Sequence, residues 1–186
     1  MPLQNVPHYS TESVAETTIA EVLLHSRQRH SAYMDQLHGR PVQARSGFNL
    51  AGLTAGVVGL GNIGTRVAEL LAAMGMEVVS WNRTDEPSEF RAVSLPELFT
   101  TSRVICVCAK TVPEGEGANV GMISRALLER LSDAVVVNLA KADLVDIPPR
   151  NAWASEESLA TLRRVWVRNV LDAIDGTFTN AVGAAG

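Results

Sequence analysis

The sequence predicts an α/β protein: a doubly wound parallel sheet with flanking helices, in a single domain. Three observations predict it. Short apolar runs alternate with helical patterns along the chain. The runs are apolar throughout, not at every second residue, as strands covered on both faces require. A glycine-rich turn joins the first central run to the helix that follows it.

The elements follow in order. Ser10 to about Tyr33 reads as a helix, with Ser13 and Glu16 in a capping-box pattern and Val14, Ile19, Val22 and Leu23 near helical spacing. Gly39 to Gly52 is a loop carrying Pro41, Gly47 and Asn49. Ala55-Gly56-Val57-Val58 is a strand that runs into the glycine turn. Ile63 to Met74 is a helix with Val67, Leu70 and Leu71 inward. Glu77 to Trp81 is the second strand of this pattern. Ser94 caps a short helix through Phe99. Arg103 to Cys108 is a strand, Ser124 to Leu131 a helix and Ala134 to Asn138 a strand. About Ser155 to Ile174 is a long helix with Leu159, Leu162, Val165, Val167 and Val170, and Gly176 lies just past it. The expected division is 1–50 for the leading helix and arm, 51–146 for the core and 147–186 for the closing helix.

The bulk numbers limit the function. The 186 residues are 46% apolar and 19% charged, as in one globular domain with room for a core. A net charge of −4 lacks the basic stripe that nucleic acid requires. No apolar run approaches the ~20 residues of a membrane span. Met1 to Thr11 lacks a signal peptide's basic-then-apolar layout, so a cytoplasmic protein is expected. Cys106 and Cys108 share one face of a strand, roughly 6.5–7 Å apart. That is the outer edge of disulfide geometry, and the expectation is two buried thiols acting as small hydrophobes. His8, His25, His30 and His38 precede the core, and no Cys/His cluster has metal-ligand spacing.

The chemistry concentrates in Gly59-Leu60-Gly61-Asn62-Ile63-Gly64. A GxGxxG alone is weak, but here it follows a strand and opens a helix. Gly59 permits the tight turn, Gly61 lets backbone approach a pyrophosphate and Gly64 lets helix and strand pack closely. The helix N-terminus offers free N–H groups, Asn62 and Ile63 among them, and a positive dipole end. This is the Rossmann-type arrangement, and it implies a bound dinucleotide; a ligand-free glycine turn is the plainer alternative. In an NAD site an acidic residue ends the next strand and binds the ribose diol. Eighteen residues after Gly64 stands Asn82, followed by Arg83 and Thr84. These donate hydrogen bonds, and Arg matches a phosphate with a fork, which favours NADP(H) over NAD(H). Asp85 and Glu86 follow closely and count the other way, and a solvated surface arginine is the plainer role for Arg83. Cys108, Ala109 and Lys110 end the next central strand and Ala140 follows the last, where ligands bind in such sheets.

These residues resemble the D-isomer-specific 2-hydroxyacid dehydrogenases. Asn5-Val6-Pro7 with Ser13-Val14-Ala15-Glu16, and Leu50 through Gly64, are similar to the start and glycine signature of that family's coenzyme domain. Asn82-Arg83-Thr84 resembles its glyoxylate and hydroxypyruvate reductase branch, which prefers NADP. Val137 to Asp146 resembles its second signature. The resemblance covers residues 5 to about 146, and it implies a Rossmann-type coenzyme domain acting in hydride transfer.

The departures bear on chemistry. The family's substrate domain lies largely N-terminal to its coenzyme domain, and this chain begins near where that domain would end. Lys141 stands where the family has a substrate-gripping arginine, and Ala142 replaces its glycine. Lysine keeps the charge and loses the planar fork. Ile147 to Ser155 resembles the segment around the family's proton-donating histidine, with Arg150 in its place. The stretch carrying the family's glutamate is missing from the pattern. An arginine, with its pKa above ~12, is no general acid near neutral pH. A lysine can be one if burial lowers its pKa.

Two functions compete. One is an NAD(P)H-dependent oxidoreductase reducing a small acidic carbonyl compound, with Lys141 and Arg150 as catalytic candidates and Lys110 adding positive charge. A solvated charge or a phosphate contact is the plainer role for Lys110 and Lys141. Trp153 would wall the nicotinamide pocket or, more plainly, serve a core or interface. The other function is a non-catalytic dinucleotide-binding and dimerisation module; a degenerate sequence is a third possibility. The resemblance also implies a homodimer, because the helix matching Ser13–Arg27 helps form the family's dimer. No nucleic-acid or membrane partner is expected.

Overall fold

The computed structural model describes residues 3–4, 9–41, 46–84, 87–140, 144 and 181–182. The elements are β1 (Leu3–Gln4), α1 (Thr11–Ser26), α2 (Arg29–Leu37), β2 (Thr54–Val58), α3 (Asn62–Ala73) and β3 (Glu77–Trp81). Then come β4 (Arg91–Ala92), α4 (Leu95–Thr101), β5 (Val104–Val107), α5 (Arg125–Leu128), β6 (Val135–Asn138) and β7 (Ala181–Val182). The five-stranded sheet has the order β4-β3-β2-β5-β6, and every pair in it is parallel. Separately, β1 and β7 pair antiparallel, Leu3 opposite Val182. Strand order reverses at β2, which has β3 on one side and β5 on the other. That reversal opens a crevice above the carboxyl ends of β2 and β5.

The all-apolar strands explain the two-sided core. Side chains alternate across a strand, so β2 sends Ala55 and Val57 to one cluster and Val58 to another. β5 does the same, with Val104 and Cys106 on the first face and Ile105 and Val107 on the second. The first cluster is closed by Ala15 and Val22 of α1 and by Val67, Ala68 and Leu71 of α3. The second is closed by Leu98 and Phe99 of α4, with Ile123 and Leu144. Gly56 lets α4 lie close on β2, since a Cβ there would stand 2.5 Å from Leu98 Cδ2. On the outside, Arg66 of α3 bonds Glu12 of α1 at 3.0 Å and Glu69 of its own helix at 2.8 Å.

Two expected elements change. The leading helix is two helices, broken at Arg27 and Gln28, because Gln28 takes a left-handed φ of 55°. Helical pattern resumes and runs to Leu37, beyond the expected Tyr33. The start of α1 is also corrected: Ser10 is the N-cap, while Ser13 lies buried in the first turn and donates its hydroxyl to Ser10 O at 3.2 Å. Ser13 therefore does not head a capping box. The helix expected over Ser124–Leu131 is cut to Arg125–Leu128 and passes into turns, with Asp133 at φ 53° before β6. The short helix at Ser94 forms as expected, and Ser94 Oγ accepts the Glu97 N–H at 3.3 Å. The long closing helix lies outside the described residues. Among the described residues no helix is long and apolar enough to cross a membrane.

Candidate functional site

The glycine turn occupies the crevice at the strand-order reversal. Gly59 leaves β2 at φ 95°, and its N–H donates to Trp81 O at 2.8 Å. A Cβ on Gly59 would stand 2.7 Å from Ala109 Cα and 2.8 Å from Ala109 N. The turn thus presses directly on the backbone after β5. Gly64 is buried, and a Cβ on it would collide with the carbonyl oxygen of Gly59. Gly61 differs from both. It is exposed, takes φ −74° as the N-cap of α3, and has nothing within 4 Å of a Cβ position. No side chain caps α3. The first helical N–H groups, at Asn62 and Ile63, lie next to Gly61 at the start of α3 without an intrahelical partner, though neither residue lines the cleft described below. Open backbone, N–H groups at a helix start and a helix dipole are the features that suit an anion such as a pyrophosphate.

The other end of the crevice is built from side chains. Asn82, just past β3, accepts the Leu60 N–H on its Oδ1 at 2.6 Å. Thr65 donates its hydroxyl to Leu60 O at 3.3 Å, so the turn is held on both sides. With Oδ1 committed, Asn82 has its amide N–H groups left to offer. Arg83 is exposed, and its Nη1 donates to Gly117 O at 2.7 Å. After β5, Cys108 N donates to Val58 O at 2.8 Å. Asn119 then gathers the following loop. Its Oδ1 accepts the Val112 N–H at 2.7 Å and its Nδ2 donates to Lys110 O at 2.8 Å.

Most of the residues picked from sequence meet in one cleft. Gly59, Gly61, Asn82, Arg83, Thr84, Cys108, Ala109 and Lys110 line a hollow of about 330 Å³. A second hollow of about 280 Å³ lies across Asn82, bordered by Leu60, Thr65, Ser88 and Glu89. Ala140 does not line the cleft; it is buried past β6, its N–H on Asn138 Oδ1 at 3.0 Å. Lys141, Arg150 and Trp153 lie outside the described residues. Sequence reading missed Gly117 and Asn119. Only the glycine spacing of the 115–121 loop hinted at them, and glycines alone do not reveal a partner.

The thiols do not supply a nucleophile. Cys106 is buried and Cys108 half-buried, both free and both on the α1–α3 side of the sheet. Burial pushes the Cys106 thiol up to about 12, and burial followed by the neighbouring Cys106 holds Cys108 well above its ordinary value. Thiolate is therefore scarce near neutral pH. Among the described residues no group of His, Cys, Asp and Glu is placed to hold a metal ion.

Fold and cleft together define a dinucleotide-binding domain of the Rossmann class. Residues 19–149 match the model of the NAD-binding domain of D-isomer specific 2-hydroxyacid dehydrogenases, and the chain belongs to that family. A 2-hydroxyacid dehydrogenase homolog of Haemophilus influenzae is 32% identical over 147 residues, covering 76% of this chain and 43% of that protein. A hydroxypyruvate reductase of Thermotoga maritima is 32% identical over 148 residues, covering 76% of this chain and 46% of that protein. The chain thus spans less than half the length of these relatives. A solved acyclic imino acid reductase in complex with NADPH and D-Arg superposes with a TM-score of 0.85 at 20% identity, over 98% of this chain and 71% of that one. That likeness establishes the shared fold.

Proposed function

We propose that this chain is the coenzyme half of an oxidoreductase that prefers NADP(H) and reduces a small acidic carbonyl compound by hydride transfer. The observation that carries the preference is the ribose end of the cleft. It presents Asn82 amide N–H groups and the Arg83 guanidinium where an NAD site has a carboxylate. A carboxylate there would repel a 2′-phosphate, whereas amide and guanidinium donors attract one. The cofactor supplies the hydride when bound; the chain's own residues seat it and orient it. Gly59, Gly61 and Gly64, with the amides of Asn62 and Ile63, would hold the pyrophosphate. Lys110, exposed at the cleft's edge, would add charge. Lys141, directly after Ala140, would act on the substrate's oxygen, and Arg150 would hold its acidic group.

The same positions favour a second reading. Lys141 and Arg150 replace the arginine and histidine of the family pattern, which supports the alternative of a non-catalytic dinucleotide module. In either reading it pairs with a second copy through α1 and α2, where Leu23, Leu24, Tyr33 and Leu37 are exposed. Nicotinamide fluorescence tests the proposal. The chain should bind NADPH at least about tenfold more tightly than NADH, a difference of about 1.4 kcal/mol. Equal or reversed affinities would refute the preference. Turnover of small 2-keto acids that Lys141→Ala abolishes supports the enzyme. Binding without turnover supports the module.

A further inference from the structure

We infer that Gly117 sets cofactor preference through Arg83: its carbonyl holds the guanidinium across the ribose end of the cleft, ready for a 2′-phosphate. This rests on the NADP(H) reading above and adds a positioning residue to it. An exposed arginine side chain is a flexible stem, and each rotor frozen on binding costs affinity. Here one bond already fixes the end of that stem, Nη1 to Gly117 O at 2.7 Å. The bond uses one of five guanidinium N–H groups and leaves the others to meet a phosphate.

Three features make Gly117 more than a chance contact. It sits at φ 81°, which favours glycine. A Cβ there would collide with Nη1 of Arg83 and stand 3.0 Å from its Cζ, so any side chain at 117 displaces the guanidinium. The loop that carries it is stapled at its base by Asn119. That residue bonds Val112 N and Lys110 O through its side chain and donates its own N–H to Val112 O at 3.0 Å. The carbonyl of Gly117 is thereby fixed relative to β5, while Arg83 is fixed by β3. Gly115 supplies a built-in control. Its φ is 84°, nearly the same, yet nothing lies within 4 Å of its Cβ position. An alanine at 115 imposes the backbone strain without touching Arg83.

The test is titration of the full chain with NADPH and with NADH by nicotinamide fluorescence, with folding checked by circular dichroism. Gly117→Ala should weaken NADPH binding about tenfold and NADH binding less than about twofold, the scale of one charge-assisted hydrogen bond. Gly115→Ala should change neither ratio. The double variant Arg83→Ala/Gly117→Ala should bind NADPH no worse than Arg83→Ala alone, because both remove one interaction. Equal losses for both cofactors, the same loss in Gly115→Ala, or additive losses in the double variant would overturn the inference. If Gly117→Ala fails to fold, Asn119→Ala frees the loop without adding bulk and should show the same NADPH-selective loss; an unselective or absent effect overturns the inference. If Arg83→Ala leaves the NADPH-to-NADH ratio unchanged, the NADP(H) reading itself fails.

Discussion

The two ends of the cleft are made of different material. The pyrophosphate end is backbone: three glycines within six residues, a strand end and the start of α3. The ribose end is side chain held by distant backbone. Asn82 is fixed by Leu60, 22 positions away, and Arg83 by Gly117, 34 positions away. A backbone seat can be blocked but not re-aimed. A side-chain seat can be retuned one residue at a time. On the proposed reading, affinity for the dinucleotide would reside at the first end, and choice between dinucleotides at the second.

Substitutions in the glycine turn should separate folding from binding within the first end. Gly64→Ala forces a methyl onto the Gly59 carbonyl, and α3 must move off β2 to admit it. The expected cost is about 3 kcal/mol in urea unfolding, the upper range for overpacking, with loss of NADPH binding. Gly61→Ala meets nothing within 4 Å and needs no change in φ. Its cost to folding should stay below about 1 kcal/mol, mostly the weaker N-cap. Its NADPH affinity should still fall by about 1–3 kcal/mol, because the methyl occupies the pyrophosphate's approach. If Gly61→Ala binds NADPH as the wild type does, the anion does not sit over α3, and the contrast between the two ends collapses.

The same contrast explains how much was legible in the sequence. The alternating apolar runs gave the parallel sheet because its strands are covered on both faces, as Val57 and Val58 show by entering opposite clusters. The glycine turn was legible because its chemistry is local and depends on residue type alone. What escaped was non-local or too short for periodicity. β4 is two exposed residues, Arg91–Ala92, with no apolar signal. The break in the leading helix turns on one left-handed residue, Gln28, which no breaker residue announces. Ser13 and Glu16 imitate a cap, yet the chain places Ser13 in the core. Asn82 and Arg83 were picked out by their distance from Gly64, and both line the cleft. Their anchors, the Leu60 amide and the Gly117 carbonyl, are backbone groups that every residue carries, so no residue type marks them.

The smallest expected effect comes from Asn82→Asp, and it probes the second end without disturbing the first. A carboxylate at 82 can still accept the Leu60 N–H, so the bond across the turn survives and is strengthened by charge. Stability should change by less than about 0.5 kcal/mol. The amide donors are lost, and a negative charge replaces them beside the ribose. A 2′-phosphate is then repelled while a 2′-hydroxyl gains an acceptor. NADPH affinity should fall and NADH affinity rise, each by about fivefold, or roughly 1 kcal/mol. Fluorescence titration of both cofactors reads the shift. A change in the same direction for both would mean that Asn82 acts only by bracing the turn, and that the ribose end does not distinguish the two cofactors through this residue.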